Sequence, residues 1–300
     1  MADTTLVGLK KRLKTVTTTR KITVAMELIA SSSHQKSKTL LKKNEQHYQA
    51  FQEIVDEITG AAFSEEPPTG LFFNSPNPDA PILYILFNSN TGLCGNFNSS
   101  IARTAEDLAE YDLEDPWFIA AGTRGLSELE RLIEPGHLKY MLLGDLPSFD
   151  EASEIFNRAL ALYRNGKAGE IRIVYNNFST AMSTDVLVET LLPLRMPEGE
   201  KKTASGYEFE PSAEEMQSAI YLMFLKEKLY NLLLHAKTAE HFTRMRAMNS
   251  ANKNADEIMN RLEIQLNRVR QSSITQEISE IVGRAEALNY EELWLTIPEK

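Results

Sequence analysis

The longest segment without glycine or proline constrains this chain more than any other feature. It begins after Pro211 and ends before Gly283, so 71 consecutive residues contain neither helix breaker. As a single helix it would be roughly 107 Å long at about 1.5 Å per residue, whereas the mean globular helix has about 11–12 residues. Ser212 and Glu215 have the spacing of a capping box at its start. A helix of this length cannot lie inside one compact domain.

Two apolar stripes predict that this segment pairs with the other end of the chain. Residues 9–59 also lack glycine and proline. In both segments apolar residues recur with the period of paired amphipathic helices. A coiled coil with no further function remains an open alternative for the stripes alone. The stripes consist of Ala255, Met259, Leu262, Leu266 and Val269 in one segment and of Leu6, Leu9, Leu13, Val16, Ile22, Met26 and Ile29 in the other.

Between the two segments the sequence alternates between strand and helix patterns. The continuous apolar run Ile82–Phe87 predicts a strand that is covered on both faces. This alternation is typical of a parallel α/β sheet inserted between the helices. Further strands are predicted at 117–121, 138–143 and 171–176, helices at about 99–110, 124–132 and 150–165, and a final strand or hairpin within 178–194. The predicted divisions are an N-terminal helix at 1–60, a linker at 61–81, an α/β domain at 82–207, a C-terminal helix at 208–287 and a tail at 288–300.

The charge is distributed unevenly along the chain. Residues 1–43 contain ten basic and two acidic side chains, a net charge of +8, whereas the whole chain has a net charge of −10. A basic helix in an acidic protein indicates an anionic partner, such as nucleic acid, an anionic surface or an acidic protein. The sequence has no zinc-finger, helix-turn-helix or RNA-recognition signature, so no nucleic-acid partner is expected. No apolar run approaches the ~20 residues of a membrane span, and no secretory signal opens the chain, so any membrane association is expected to go through a partner.

No pattern in the sequence predicts an active site. The loop Gly92–Asn96 follows the first predicted strand, where an anion site is possible, but it matches neither common phosphate-binding motif. Two glycines in a tight turn are the alternative. Cys94 has no histidine nearby in sequence, so a buried structural thiol is expected. The five histidines lack the spacing of metal ligands, and neither a metal nor a cofactor is expected.

Four motifs resemble those of one known family. Residues 267–278 place polar side chains where a dimeric coiled coil keeps an apolar seam, so this helix end must be solvated or surrounded by other protein. In their order along the chain, the motifs resemble those of the gamma subunit of F-type ATP synthases over essentially the whole length. The motifs are KITVAMEL at 21–28, GLCGNFN at 92–98, TAEHFTRM at 238–245 and NRVRQSSITQEISEIV at 267–282; the family versions read KITKAMEMV, GLCGGFN, SEHxxRM and NRxRQxxITQEIxEIV.

The resemblance implies a fold and a function. The fold would be a long antiparallel coiled coil of the N- and C-terminal helices with an inserted Rossmann-like α/β domain. The function would be that of a non-catalytic central-stalk rotor, present in one copy, which couples ion-driven rotation of the membrane c ring to conformational changes of the catalytic hexamer. The implied partners are the alpha, beta and epsilon subunits and the c ring. The implied location is peripheral, at the cytoplasmic face of a bacterial cell membrane.

The resemblance also assigns contact residues. The alternative for Arg244 is an exposed helix arginine. The alternative for Met26 is a core position of the coiled coil, which is compatible with a contact role. Residues that correspond to contacts with the alpha/beta hexamer are Met26, Arg244, Arg270, Gln271, Thr275 and Glu277. Residues that correspond to contacts with the c ring and epsilon are Tyr207, Phe209 and Glu210.

Four positions depart from the family pattern. Asn90 and Thr91 replace the usual Asp-Arg before the glycine loop, Asn96 replaces the second glycine, and Ser33 lies in a run that is usually rich in lysine and arginine. These departures leave open how the loop is hydrogen-bonded and how strong the charge contact with beta is.

Three other functions compete with the resemblance. The central stalk of a vacuolar or archaeal-type rotary ATPase also has two long helices, but it generally lacks an α/β insert as large as 82–194. A coiled-coil scaffold without a motor and a phosphate-binding enzyme built on the α/β domain are the other two.

Overall fold

The structure is a computed structural model that describes residues 6–62, 70–112, 115–124, 138–178, 184–195 and 213–295. The chain forms two compact units. The smaller consists of Met1–Met26 and Met248–Lys300, and the larger of Glu27–Ala247. Both long helices contribute residues to each unit, so the predicted linker and domain boundaries remain predictions.

Nine elements are described, and most agree with the sequence pattern. The predicted strands at 82–87 and 117–121 are confirmed at both ends, and the predicted helix at 124–132 lies outside the described residues. In chain order the elements are α1 Leu6–Ala62, β1 Ile82–Phe87, α2 Phe97–Tyr111, β2 Trp117–Ala121, β3 Leu138–Met141, α3 Phe149–Arg164, β4 Glu170–Phe178, β5 Thr184–Leu192 and α4 Ala213–Leu295.

The helix α4 does not end where the sequence predicts. It continues through Gly283 to Leu295, beyond the predicted end at residue 287. A single glycine inside a helix costs only about 1 kcal/mol relative to alanine. The helix continues for twelve residues after Gly283, so regular helical hydrogen bonding resumes beyond this position.

The sheet has the order β3-β2-β1-β4-β5. Strands β1 to β4 are parallel, whereas β5 runs antiparallel to β4, so the sheet is mixed, and β5 is the final strand predicted within 178–194. Because β1 lies between β2 and β4, the chain leaves β1 toward one side and returns at β4 on the other. The loops after β1 and β3 therefore lie at the carboxyl edge of the parallel strands, where α/β folds usually bind ligands.

Alternate residues of the central strand face two different hydrophobic clusters. Leu83, Ile85 and Phe87 belong to a cluster with residues of α3 and α4, whereas Tyr84 and Leu86 belong to one with residues of α2. All five side chains are at most 1% exposed. The apolar run of β1 is thus buried on both faces, as its sequence predicts.

A buried polar network joins α1 to α4 in the larger unit. Asn44 donates to the Glu227 carboxylate at 2.5 Å, and Asn231 donates to the Asn44 amide oxygen at 2.8 Å. His47 Nδ1 lies 3.3 Å from the same Glu227 oxygen. Asn44, Glu227 and Asn231 are each less than 9% exposed, so the two helices are held here by hydrogen bonds in a dry environment.

The helices of the smaller unit pair in antiparallel fashion. Thr17 contacts Met259, Arg20 binds Asp256 and Thr23 binds Asn252, so partner numbers fall along α4 as they rise along α1. The predicted stripe of α4 is confirmed: Ala255 and Leu262 are buried, and its other members are partly buried.

Two of the seven members of the predicted α1 stripe, Ile22 and Ile29, are wrong. Leu9 is buried and Leu13 and Val16 are partly buried, but Ile22 is 56% exposed. Core positions of a heptad pattern are three or four residues apart, whereas Val16 and Ile22 are six residues apart. Ile22 therefore does not lie on the packed face of α1. The packed face continues instead through the polar residues Arg20 and Thr23. Ile29, in the larger unit, is likewise exposed at 67%.

Candidate functional site

The end of α4 is exposed on every side. Each residue from 270 to 285 is exposed within the chain, and Val269 is the last one before this segment that is partly buried. The apolar residues of this segment, Ile274, Ile278, Ile281 and Val282, are 45–67% exposed. Such a helix end needs surrounding protein, because an isolated helix gains little stability from polar and apolar residues that only face water.

Four of the predicted contact residues lie in this exposed segment, which we call the α4 end (residues 270–285). Arg270, Gln271, Thr275 and Glu277 are all exposed. Thr275 donates its hydroxyl to the Gln271 backbone carbonyl at 2.9 Å, a contact within the helix that leaves the Gln271 amide available. The α4 end therefore presents a guanidinium, an amide and a carboxylate to whatever surrounds it.

The other predicted contact residues lie elsewhere. Met26 is partly buried on α1, which agrees with a position in the helix pair and leaves part of its surface accessible. Arg244 is only 8% exposed, so the alternative of an exposed helix arginine is wrong. Tyr207, Phe209 and Glu210 lie outside the described residues.

Arg244 belongs to a buried group of charges on α4. Its Nη2 lies 2.8 Å from Oε1 of Glu240, 2.9 Å from Oγ1 of Thr91 and 3.1 Å from the Thr91 carbonyl oxygen, and its Nε lies 3.4 Å from the Gly92 carbonyl oxygen. Lys237 donates from Nζ to Oε2 of Glu240 at 2.8 Å. The side chains of Lys237 and Glu240 are each 3% exposed. We call Lys237, Glu240, Arg244, Thr91 and Gly92 the Glu240 cluster.

The electrostatics of the Glu240 cluster keep its carboxylate charged. Burial alone would raise the pKa of Glu240, but the nearby Lys237 ammonium and Arg244 guanidinium hold it below its ordinary value. One anion therefore lies between two cations, and all three have hydrogen-bond partners. A buried group of this kind costs solvation energy, which its mutual attraction and hydrogen bonds offset.

The glycine loop closes against α4. A Cβ atom on Gly95 would lie 3.2 Å from Cγ2 of Thr243, and its φ is +60°, so both the space and the backbone favour glycine. Cys94 is 2% exposed and packs with Phe97 and Ala239, which confirms the buried thiol. The carbonyl oxygens of Thr91 and Gly92 face the Arg244 guanidinium. Among the described residues no group of histidine, cysteine, aspartate and glutamate could hold a metal ion.

Three of the departures from the family pattern have visible roles in the loop. Asn90 donates its side-chain amide to the Leu143 carbonyl oxygen, which ties the loops after β1 and β3 together. Thr91 accepts from Arg244 through its hydroxyl. Asn96 has φ −90° and ψ 8°, a conformation that needs no glycine. The fourth, Ser33, is partly buried on α1.

Lys237, Glu240 and Thr91 were not predicted from the sequence as members of one cluster. Lys237, Glu240 and Arg244 follow a spacing of three and four, which places them on one face of a helix. That spacing could have indicated the ion group, but exposed helix faces carry the same pattern far more often. The contact with Thr91 depends on how the sheet places its loops and has no local sequence signal.

One buried histidine, His241, and two partly buried ones, His34 and His235, should make the chain sensitive to mild acid. Burial lowers the pKa of His241, His235 and His34, and hydrogen bonds or nearby carboxylates oppose this only in part. Stability should therefore be complete above the unfolded value of about 6.5 and fall as the pH drops toward the lower folded values, with a slope of up to about 1.4 kcal/mol per pH unit for each histidine that takes up a proton on unfolding. Urea unfolding of the full chain between pH 8 and 5 measures this slope.

The variant His241→Gln provides the control for this pH dependence. It removes one titrating ring whose Nε2 lies 3.0 Å from the Asp145 carbonyl oxygen, so its slope should be smaller than that of the unchanged chain. The carboxylates with lowered pKa values, such as Glu151 and Glu170, lose their contribution only at lower pH. A stability that stays constant from pH 7 to 5.5 would contradict the prediction.

Comparison with known proteins identifies relatives over nearly the full length. The protein-family model described as ATP synthase matches residues 5–288. The ATP synthase gamma chain of Clostridium kluyveri is 39% identical over 288 residues, covering 96% of this chain and 100% of that protein. The ATP synthase gamma chain of Clostridium acetobutylicum is 37% identical with the same coverage of both chains.

Solved structures share the fold at lower sequence identity. A chain in the central stalk and c-ring structure of Tetrahymena thermophila mitochondrial ATP synthase is 23% identical, with a TM-score of 0.59 over 77% of this chain and 99% of that one. A chain in the rotor structure of Euglena gracilis mitochondrial ATP synthase is 14% identical, with a TM-score of 0.64 over 90% of this chain and 98% of that one.

Proposed function

The chain belongs to the ATP synthase gamma chain family, and from this premise we propose that it turns within its complex and couples ion flow to ATP chemistry. It is a central-stalk subunit and not a catalytic one. Rotation of the membrane c ring would turn this chain, and its asymmetric surface would favour different conformations of the catalytic subunits in turn. Such a population shift requires each orientation of the chain to interact differently with open and closed subunits.

The exposed α4 end is the observation that carries this proposal. A helix end that is exposed on all sides and still carries Ile274, Ile278 and Ile281 is suited to a surrounding sleeve of protein. The hexamer of alpha and beta subunits would be that sleeve. Arg270, Gln271, Thr275 and Glu277 supply the polar contacts in this proposal, and they are free to do so because all four are exposed.

Met26 and Arg244 are proposed contacts of a different kind. Met26 is partly buried, so it would reach the hexamer from the edge of the helix pair. Arg244 would act from a fixed position, because Glu240 and Thr91 already hold its guanidinium. The basic start of α1 favours an acidic surface on the partner that faces it.

The finer features of the fold and the remaining partners are part of the same proposal. The helix pair would continue as a long antiparallel coiled coil, and the α/β domain would be Rossmann-like, as the strand order β3-β2-β1-β4 supports. The c ring and the epsilon subunit would bind near Tyr207, Phe209 and Glu210. One copy per complex would lie peripherally at the cytoplasmic face of a bacterial membrane; no described helix is long and apolar enough to cross one.

Reconstitution tests the proposed function directly. The matching alpha and beta subunits are purified with and without this chain, and ATP hydrolysis and size-exclusion elution are measured. We expect turnover to depend on this chain and the chain to co-elute at one copy per hexamer. A hexamer whose activity and elution ignore this chain would overturn the proposal.

Removing two polar groups from the α4 end should weaken the motor without unfolding the chain. In Gln271→Ala with Thr275→Ala, we expect ATP turnover or torque transfer to fall several-fold, corresponding to about 1–2 kcal/mol for two lost hydrogen bonds. Helicity of the full chain by circular dichroism should stay unchanged because both residues are exposed.

A matched control for the double variant is Gln265→Ala. Gln265 is also exposed on α4, but it lies within the paired part of the helix. Its turnover should equal that of the unchanged chain. Normal hydrolysis and normal coupled pumping in the double variant would count against these two contacts.

A further inference from the structure

In the described part of the larger unit, both apolar and directional contacts join α4 to the α/β domain. Besides the Glu240 cluster, Lys228 Nζ lies 3.4 Å from the Thr190 carbonyl oxygen and 3.4 Å from Glu189. Apolar contacts such as Ala239 against Cys94 and Phe97 resist separation of the two surfaces. Such contacts have little directional preference, so they resist a rotation of the helix about its own axis only weakly. Hydrogen bonds with fixed geometry oppose such a rotation much more strongly.

We propose that the Glu240 cluster is the joint through which the α/β domain and α4 turn as one body. The inference rests on the proposed rotor function and assigns a mechanical role to Lys237 and Glu240. Arg244 has a planar guanidinium whose donors diverge at fixed angles, and it binds Glu240 on its own helix and the loop after β1 together. Glu240 and Lys237 in turn hold the guanidinium in that orientation.

A second attachment fixes the angle of the helix. His241 Nε2 lies 3.0 Å from the carbonyl oxygen of Asp145, in the loop after β3. Arg244 binds Thr91, in the loop after β1. Asn90 connects these two loops by donating to the Leu143 carbonyl oxygen. A rotation of α4 against the domain would therefore break bonds to both loops at once.

Stability alone is a poor reason for burying these charges. Replacing a buried ion pair by packed apolar side chains is often neutral or stabilising. Apolar residues would hold α4 on the sheet as firmly, but they would permit neighbouring angular positions. A buried ion group with directional bonds selects one position, and a subunit that transmits torque between its domain and its helix requires that.

The experiment uses the complete ATP synthase complex that contains this chain, with all of its rotor and stationary subunits, reconstituted in lipid vesicles. The measured quantity is the ratio of ATP-driven ion pumping to ATP hydrolysis. For Glu240→Gln, which keeps the side-chain volume and removes the charge, we expect hydrolysis to stay within about two-fold and the ratio to fall at least about five-fold. A ratio equal to that of the unchanged complex would overturn the proposal.

A matched control separates the effect of Glu240→Gln from the effect of losing any ion pair. Glu154 forms an i, i+4 pair with Arg158 on α3 at 2.6 Å, but both side chains are more than half exposed. Glu154→Gln should leave both hydrolysis and the ratio unchanged. A five-fold drop in this control as well would remove the special role of the Glu240 cluster.

Thr91→Val covers the case in which Glu240→Gln does not assemble. It is nearly isosteric and removes only the hydroxyl that accepts from Arg244 at 2.9 Å. Its ratio should fall at least about two-fold, and an unchanged ratio would overturn the proposal. If the complex with the unchanged chain fails to assemble or to pump ions, the proposed rotor function is wrong. If the unchanged complex and the variant complexes all pump with the same ratio, only the proposed role of the Glu240 cluster is wrong.

Discussion

Phe156→Ala is expected to destabilise the larger unit by about 3–5 kcal/mol. Phe156 lies on α3, is 0% exposed and belongs to the cluster between the sheet, α3 and α4. Removing its ring loses apolar burial and leaves a cavity that the surrounding strands can fill only in part. Chemical unfolding followed by the fluorescence of Trp117, in a Trp294→Phe background, measures the loss where it occurs.

Phe149→Ala is the matched control for this prediction. It makes the same substitution in the same helix, but Phe149 is 37% exposed and contacts Tyr230 by its edge. Its cost should be clearly smaller than that of Phe156→Ala, because 37% of Phe149 already faces water. Equal losses in the two variants would show that the cluster does not hold the larger unit together.

Asn44→Ala has the second largest expected effect. The variant leaves the Glu227 carboxylate buried without the amide that donates to it at 2.5 Å, and it also removes the acceptor of Asn231. Losing a hydrogen bond to a buried charged group costs about 2–3 kcal/mol. The free energy of unfolding of the full chain in urea at pH 7.5 measures the effect.

A second substitution shows whether the lost stability comes from the Glu227 carboxylate, which Asn44→Ala leaves without its hydrogen-bond donor. Adding Glu227→Gln to Asn44→Ala removes the buried charge, so the double variant should lose less than the two single variants together. Gln46→Ala on the exposed face of the same helix should cost almost nothing. Strict additivity in the double variant would exclude the direct interaction.

The sequence predicts those features that depend on local patterns. The apolar run of β1 and the alternation of strand and helix predicted the α/β domain, since burial on both faces requires continuous apolar residues. The stripe at Ala255 and Leu262 predicted the packed face of α4 for a similar reason. The end of α4 could not be predicted this way, because one glycine is a weak breaker when the rest of the helix is regular.

Features that depend on tertiary placement had no such signal. The apolar side chain of Ile22 predicts a packed position, but the two helices contact each other through the polar residues Arg20 and Thr23 instead. Arg244 was identified through its motif, but its burial depends on a loop more than 150 positions away in the chain. The motif predicted that Arg244 makes a contact, but only the fold shows which groups Arg244 binds.

The polar pairs of the smaller unit also dictate how far along each other its two helices lie. Arg20 faces Asp256 and Thr23 faces Asn252. If α4 slipped by one heptad, about 10 Å, Asn252 would face Val16 and Asp256 would face Leu13, and an amide and a carboxylate would lose their partners to apolar neighbours. Other registers of the two helices are therefore disfavoured, so the length by which α4 extends beyond α1 is fixed.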